Sequence, residues 1–370
     1  MIIQSLRLAD FRNLEAAEIA PCENINIILG QNAQGKTNLI EAVWLLTGNR
    51  SFRGARESQM IRFGAEVFRV EVSFRDRERE QFLSFTGGER KRKILLNGVP
   101  LKSPSELFGT FPAVSFDPTG LSIVQDGPGE RRRFLDTAIS GLKPAYGRYL
   151  AQYNAVLEQR NFLLRDAGRY DRFADTLDVW DLQLAKLGTI LSVFREDYVQ
   201  KLRPVAAEIY GGFTGFSEAF SAEYESSVFP AGTPLTAYTE ELIRSYLAVL
   251  QGERENDRRM RCTTRGAHRD DLSLNIDGRP ARVYGSQGQK RSCAVALKLS
   301  EANLIRRITG ENPVVLLDDV MSELDQSRQD YILNRIRDFQ VFITCCDVSN
   351  TLRMESGRIF TVTGGRVEEA

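Results

Sequence analysis

The segment Gly30-Gln31-Asn32-Ala33-Gln34-Gly35-Lys36-Thr37 constrains this chain more than any other, because it fits the phosphate-loop pattern G-x-x-x-x-G-K-[ST]. The apolar residues 25–29 before it predict a buried strand, and residues 38–46 after it predict an amphipathic helix. In such a loop the glycines let backbone N–H groups and the helix N-terminus face a polyphosphate. Lys36 then reaches the β- and γ-phosphates, and the Thr37 hydroxyl binds Mg²⁺. A glycine-rich turn that matches by chance is the alternative, and the strand and helix around the loop disfavour it.

Composition narrows the class of protein without naming a function. Among 370 residues, 49 basic side chains balance 49 acidic ones, so no net charge draws the chain toward nucleic acid or a membrane surface. Five cysteines, odd in number and without a C-x-x-C pair, are typical of reduced thiols in a cytoplasmic protein. The single histidine, His268, disfavours a zinc site. No apolar run approaches the length of a membrane span, so we expect a cytoplasmic protein with no membrane partner.

A second part of a nucleotide site is predicted near residue 318. Residues 314–317 are four successive apolar residues that lead into Asp318 and Asp319, which is the form of a Walker B strand. We expect Asp318 to hold Mg²⁺, directly or through water, and Asp319 to orient or deprotonate an attacking water. The alternative is a core strand that ends in a helix cap, and the phosphate loop elsewhere in the chain disfavours it.

Residues 284–291 resemble the signature motif of ABC-type ATPases, because a serine, a glycine and a glutamine precede or begin a predicted helix. In that superfamily the signature contacts the γ-phosphate of a nucleotide held by a partner subunit, so the resemblance implies an ATP-dependent homodimer. An ordinary helix cap remains the alternative. The expected catalytic residues are Asp319, Asp318 and Lys36, and the expected nucleotide contacts are Gly30, Gln31, Asn32, Ala33, Gln34, Gly35, Lys36, Thr37, Asn38, Ser286, Gly288 and Gln289.

Patterning along the chain predicts an α/β fold with an inserted helical part. The first hundred residues are rich in strand-like runs and contain an Asn97-Gly98 hairpin turn, whereas helical spacing dominates residues 130–201, with a break near Gly168. We expect an ABC-type (P-loop) ATPase head lobe built from both termini, residues 1–117 and 266–370, and a mainly helical lobe at residues 118–265.

Five blocks of sequence are similar to the RecF family of bacterial DNA repair ATPases, which is related to the heads of SMC-type proteins. The blocks are residues 38–42, 48–53, 118–136, 266–272 and 317–325; the departures from the family pattern are Thr119, Asp126 and Ala267. The resemblance implies ATP-dependent dimerisation on double-stranded DNA, especially at gaps, and partnership with RecR and, through it, RecO. It also implies a role in recombinase loading and the SOS response.

The residues around the expected site indicate slow hydrolysis. Asp319 occupies a position where many ABC ATPases carry the longer glutamate, and the usual switch histidine is absent from residues 343–347, where Thr344 is the nearest substitute. We therefore expect ATP binding to drive assembly and a weak ATPase activity to reverse it. The resemblance to the RecF family implies that DNA stimulates this activity. His268 has two interpretations, a residue that points into the nucleotide site or a hydrogen-bonded turn histidine.

Other functions share the same ATP site. A transporter's nucleotide-binding subunit favours a Leu-Ser-Gly-Gly-Gln signature and a switch histidine, and other SMC-like chromosome ATPases carry long coiled-coil arms. A DNA-binding scaffold that holds ATP without hydrolysing it also remains open. Three basic clusters, at residues 50–56, 90–93 and 254–265, are open to two interpretations as well, as DNA contacts or as solvated rows of salt bridges.

Overall fold

The computed structural model describes residues 1–89, 91–165, 173–346 and 357–370. The chain falls into two compact units. The first contains residues 1–121, 212–216 and 294–370, and the second contains residues 122–211 and 217–293. Arg90, the expected break near Gly168 and Asp347 lie outside the described residues.

The strands in chain order are β1 Ile2–Phe11, β2 Leu14–Ile19, β3 Ile25–Leu29, β4 Val67–Arg75, β5 Glu80–Gly88, β6 Arg92–Leu96, β7 Val99–Leu101, β8 Ala113–Phe116, β9 Phe220–Glu225, β10 Asp271–Ile276, β11 Arg279–Pro280, β12 Val314–Asp318, β13 Val341–Cys345, β14 Gly357–Thr363 and β15 Arg366–Glu369. The helices are α1 Lys36–Leu45, α2 Ser122–Gln125, α3 Pro128–Leu142, α4 Pro144–Arg165, α5 Phe173–Thr214, α6 Glu240–Gly252, α7 Arg254–Met260, α8 Ala281–Tyr284, α9 Gln287–Thr309 and α10 Gln326–Ile336.

The first unit is organised by one sheet that, within the described residues, has 12 strands in the order β7-β6-β5-β4-β1-β2-β15-β14-β3-β13-β12-β8. Its β14-β3-β13-β12-β8 part is parallel throughout. The predicted strands β3 and β12 are confirmed, and β12 is buried along its whole length, as parallel strands with both faces covered usually are. The Asn97-Gly98 turn is also confirmed: both residues have positive φ, at 52° and 82°, and connect β6 to β7.

Helix α1 follows the phosphate loop, as predicted, but it is not amphipathic. Residues 39–45 are all buried, including Glu41, because the helix is enclosed on nearly every side. The buried carboxylate of Glu41 is compensated by a two-bond contact with Arg12, at 3.0 and 2.9 Å. A helix that is covered in this way holds its N-terminus in a fixed position, which is the end that carries the phosphate loop.

The second unit contains helices and a small sheet in the order β11-β10-β9. The expected helical character of residues 130–201 is confirmed by α3, α4 and α5, whose buried residues include Tyr146, Tyr153 and Leu191. The sequence division assigns residues 266–293 to the first lobe, whereas their contacts group them with the second unit, because β10 pairs with β9 in a register from Asp271–Glu225 to Ile276–Phe220. In the ranges that the structure describes, no helix is both long and apolar enough to cross a membrane.

Candidate functional site

The phosphate loop joins the end of β3 to the start of α1, and its two glycines are required by close contacts. Gly35 is the residue before the helix and has φ of +122°, a conformation that side chains with a Cβ rarely adopt. A Cβ at Gly35 would lie 2.7 Å from Oδ1 of Asn13, and a Cβ at Gly30 would lie 2.5 Å from the carbonyl oxygen of Val362. Both positions therefore need glycine for steric reasons, and Gly35 needs it for its backbone conformation as well.

Side chains from elsewhere in the first unit hold this loop in shape. Nδ2 of Asn13 donates to the Gln34 carbonyl at 2.9 Å, and Oδ1 of Asn13 accepts from Nδ2 of Asn38 at 2.7 Å. The N–H of Gly364 donates to Oε1 of Gln34 at 2.6 Å. Asn38 and Gln34, both expected to contact nucleotide, thus also stabilise the loop. Asn13 was missed by the sequence analysis, because nothing in the loop pattern points to a residue in the turn between β1 and β2.

Lys36 is buried, and its ammonium group lies within the curve of the loop. Nζ donates to the carbonyls of Gly30 at 2.6 Å and Gln31 at 3.1 Å, and it lies 3.4 Å from Sγ of Cys346. The Cys346 thiol in turn donates to Oδ1 of Asn32 at 3.1 Å. A positive charge surrounded by loop backbone is suited to bind a phosphate that the same loop wraps.

Asp318 lies at the carboxyl end of β12, where two hydroxyl groups converge on one of its oxygens. Oγ1 of Thr37 donates to Oδ1 of Asp318 at 2.9 Å, and Oγ1 of Thr344 donates to the same oxygen at 2.8 Å. Thr344 is placed there by the parallel pairing of β12 with β13, in which it is the partner of Asp318. Burial raises the pKa of Asp318, against the opposing effects of the two hydroxyl groups and of Arg53. A buried carboxylate beside a threonine hydroxyl is an oxygen-ligand set that fits Mg²⁺.

Asp319 follows in a left-handed conformation, with φ of +55°. Its N–H donates to Oγ1 of Thr344 at 2.8 Å, so Thr344 holds both acidic residues at this edge of the sheet. Oγ of Ser322 donates to the carbonyl of Asp319 at 2.8 Å and lies 3.2 Å from its Oδ1. The structure therefore brings Lys36, Thr37, Asp318 and Asp319 together in the first unit, as the sequence predicts.

The signature-like residues lie in the second unit, at the start of α9. The N–H of Gln289 donates to Oγ of Ser286 at 3.2 Å, and the N–H of Ser286 donates to Oε1 of Gln289 at 2.8 Å, which is a reciprocal capping box. Ser286 is exposed and Gly288 is half-buried. The preceding Val283 and Tyr284 are 68% and 67% exposed, so large apolar side chains stand in solvent beside the exposed serine.

Residues of the family-like blocks at 118–136 and 266–272 form a buried ionic network within the second unit. Arg131 makes two bonds to Asp271, at 2.7 and 2.8 Å. Arg195 contacts Asp136 at 2.8 Å and Asp270 at 3.1 Å. Arg195 was not expected from the sequence, since a mid-helix arginine gives no signal of its distant partners. These arginines are therefore structural.

His268 belongs to a hydrogen-bonded turn of the second unit, which is one of its two interpretations. Nδ1 lies 2.8 Å from the Tyr153 hydroxyl and Nε2 lies 3.0 Å from the Thr263 carbonyl. Because a carbonyl can only accept, Nε2 carries the proton and Nδ1 accepts from the tyrosine. Burial is the main cause that lowers the pKa of His268 to about 4, so the ring is neutral.

Basic residues in all three sequence clusters are engaged within the chain. Arg53 lies 3.8 Å from the buried carboxylate of Glu41, Arg92 forms a salt bridge with Glu57, and Arg254 lies 2.6 Å from the buried Asp181. These pairs favour the salt-bridge interpretation for the named arginines.

Comparison with known proteins places this geometry in a family. The family described as RecF/RecN/SMC N terminal domain matches residues 2–366. Together with the fold, this match defines the class of protein as an ABC-type ATPase head.

Full-length relatives narrow the class further. The DNA replication and repair protein RecF of Lachnospira eligens is 37% identical over 372 residues, which cover 99% of this chain and 99% of that protein. Two solved structures of the recombination mediator protein RecF in the RecFOR pathway, RecF-ATPrS and RecF-ATP, are similar to this chain. Their TM-scores are 0.92 and 0.92, at 36% and 35% identity, over 99% and 100% of this chain and 97% of each of those chains. The chain belongs to the RecF family.

Proposed function

We propose that this protein is an ATP-dependent DNA-binding protein of recombinational DNA repair. ATP binding drives two copies together, head to tail, on double-stranded or gapped DNA, and slow hydrolysis releases them. The observation that carries the proposal is the convergence of Thr37 and Thr344 on Asp318 beside the phosphate loop. Full-length RecF relatives, and a RecF structure described with ATP, support the same nucleotide and the same biological process.

The residues of the first unit divide the chemical work among them. The backbone of residues 30–35 and the ammonium of Lys36 bind the polyphosphate and orient its terminal group. Thr37 and Asp318 would hold Mg²⁺, which would neutralise developing phosphate charge. Asp319, fixed by Ser322 and Thr344, orients the attacking water.

Slow turnover follows from the groups around that water. Aspartate is one methylene shorter than the glutamate of many ABC ATPases. The usual switch histidine is absent, and Thr344, the nearest substitute, already donates its hydroxyl to Asp318. An enzyme with such a site remains in its ATP-bound state long enough to act as an assembly signal. A kcat near 100 per second, about tenfold above the median of enzymes, would contradict this interpretation.

A second copy would complete the site through the signature. The hydroxyl of Ser286 accepts from Gln289, so its proton is available for a phosphate oxygen. Exposed Val283 and Tyr284 give the same surface apolar area for a partner to cover. RecR, and RecO through it, would then recognise the DNA-bound dimer, in support of recombinase loading and the SOS response.

Light scattering with and without ATP, and with and without gapped duplex DNA, tests the proposal. We expect a monomer without nucleotide and an ATP-dependent dimer that DNA favours further. Lys36→Arg weakens ATP binding itself, because a planar guanidinium does not reproduce the compact charge of the ammonium that contacts the Gly30 and Gln31 carbonyls. Ser286→Arg leaves ATP binding to the monomer intact and blocks the dimer.

Each alternative function gives a different result in these assays. An ATP-dependent dimer that is indifferent to DNA would favour a transporter-type subunit. A DNA-dependent dimer with no phosphate release would favour a scaffold that only holds ATP. ATP-dependent dimers of Ser286→Arg would refute the head-to-tail arrangement.

A further inference from the structure

The signature loop is connected to the body of the second unit through one carboxylate, Glu218. Nε2 of Gln289 donates to Oε1 of Glu218 at 2.9 Å, and the Tyr210 hydroxyl donates to Oε2 at 2.6 Å. A chain of hydrogen bonds thus runs from Tyr210 on α5, through Glu218, to Gln289 and Ser286 at the start of α9. The two groups that donate to Glu218 in this series of hydrogen bonds, the Gln289 amide and the Tyr210 hydroxyl, are neutral. Their contacts with Glu218 are therefore positioning contacts and not salt bridges.

The chain of bonds fixes the orientation of the Gln289 amide. The N–H of Ser286 can only donate, so the amide oxygen must face it, and the amide nitrogen must then face Glu218. With both ends of the amide engaged inside its own chain, Gln289 is occupied in shaping the loop. The exposed Ser286 hydroxyl, which accepts from the Gln289 N–H, keeps its proton free to donate outward.

Glu218 is itself held on both sides. Tyr210 is fully buried and stacks on Phe220, with ring centroids 5.2 Å apart. Burial, with the hydrogen bond to Glu218, raises the pKa of Tyr210, so its hydroxyl remains a donor at any physiological pH. The next residue, Ala219, exchanges two hydrogen bonds with Asp277, its N–H with Oδ1 at 2.8 Å and its carbonyl with the Asp277 N–H at 2.8 Å.

We propose that Glu218, braced by Tyr210, is a positioning residue for the signature: it locks the Gln289 amide and so sets the direction in which Ser286 presents its hydroxyl to the nucleotide of a second copy. This inference rests on the proposed head-to-tail dimer. Its local part, the order that Glu218 imposes on the loop, can be measured in the monomer without nucleotide.

Hydrogen exchange of the monomer tests the local part. In Glu218→Ala, exchange in a peptide covering residues 283–290 accelerates on the order of fivefold to tenfold, the effect of one lost hydrogen bond. Glu218→Gln retains an oxygen for Gln289 and restores slow exchange. Glu223→Ala, which removes an exposed glutamate of β9, is the matched control and leaves exchange unchanged. Exchange in Glu218→Ala equal to that of the wild type, or failure of Glu218→Gln to restore it, overturns the proposal.

Light scattering with ATP tests the consequence. Each dimer contains two signature loops, so a fivefold loss of affinity at each loop weakens dimerisation on the order of 25-fold. The ATP affinity of the monomer stays that of the wild type. If Ser286→Arg blocks dimers and Glu218→Ala does not weaken them, the positioning role is wrong and the proposed function stands. If Ser286→Arg forms ATP-dependent dimers, the proposed head-to-tail function is itself wrong. If Glu218→Ala does not fold, Tyr210→Phe replaces it, because this variant removes only the hydrogen bond from Tyr210 to Glu218. We expect Tyr210→Phe to show a smaller change in both assays, and no change in either assay overturns the proposal.

Discussion

His268 allows a pH prediction whose sign and size follow from its surroundings. Its ring is neutral in the folded chain because burial, together with the charges of Arg269, Arg132 and Arg160, lowers its pKa from 6.5 to about 4. The bond from the Tyr153 hydroxyl to Nδ1 must also be broken before that nitrogen can take a proton. We therefore predict that His268 destabilises the second unit in mild acid.

The size of the stability loss is set by the difference between the pKa of His268 in the unfolded chain, 6.5, and its pKa in the folded chain, about 4. Above pH 6.5 neither state binds the proton, and the full stability is present. As the pH falls from 6.5 toward 4, the unfolded chain binds one proton that the folded chain does not, so stability is lost. The slope is about 1.4 kcal/mol per pH unit, which gives about 2 kcal/mol lost by pH 5 and about 3 kcal/mol by pH 4.

Urea denaturation followed by tryptophan fluorescence measures this loss in the second unit. The chain has two tryptophans, Trp44 and Trp180, and Trp180 packs on a cluster of leucines from α4 and α5. In a Trp44→Phe background, the fluorescence change reports on that unit alone. His268→Gln, which retains a donor and an acceptor but cannot titrate, is the comparison. The unfolding free energy of the parent chain, relative to that of the His268→Gln variant, falls by about 2 kcal/mol from pH 7.5 to 5; a constant difference between the two chains would refute the reasoning.

Three further predictions concern side chains at other positions. Thr344→Val keeps the shape of the side chain but removes its hydrogen bonds to Asp318 and to the N–H of Asp319. We expect the rate of ATP turnover to fall at least about tenfold while ATP affinity changes little. A rate of phosphate release equal to that of the wild type would contradict this prediction. Arg160→Met leaves two fully buried aspartates without their partner, and the loss of about 3–5 kcal/mol appears as a lower urea midpoint of the second unit. Alkylation of the exposed Cys346, whose sulfur lies 3.4 Å from Lys36, blocks ATP binding, and prior ATP slows the reaction measured by mass spectrometry.

The parts of the site that the sequence predicted are those set by local order along the chain. A glycine-rich loop between a strand and a helix, and an apolar strand that ends in aspartates, have the same chemistry wherever they fold. Lys36, Thr37, Asp318 and Asp319 converge because parallel strands present their carboxyl ends at one edge of a sheet. Their individual roles remain predictions.

The parts that were missed depend on partners far apart in the sequence. Residues 14–19 contain two glutamates and two alanines and do not resemble a strand, yet they form β2 because β1 and β15 pair with both of its edges. Asn13 has no local pattern that would identify it as a support of the phosphate loop. The two aspartates on Arg160 come from α5 and α7, and only the fold shows that they meet. Long-range packing, which no short window of sequence contains, decided each of these.

The position of β3 in the sheet has a consequence for how the protein is made. Both neighbours of this strand, β13 and β14, come from residues 341–363, so a growing chain on the ribosome has synthesised more than nine-tenths of its length before the phosphate-loop strand can pair on either side. The antiparallel strands β1, β2, β4 and β5 can associate much earlier, since they lie close together in sequence. ATP binding is thus acquired last during synthesis, because a chain that still lacks these final strands has no neighbour on either side to hold the phosphate-loop strand in place.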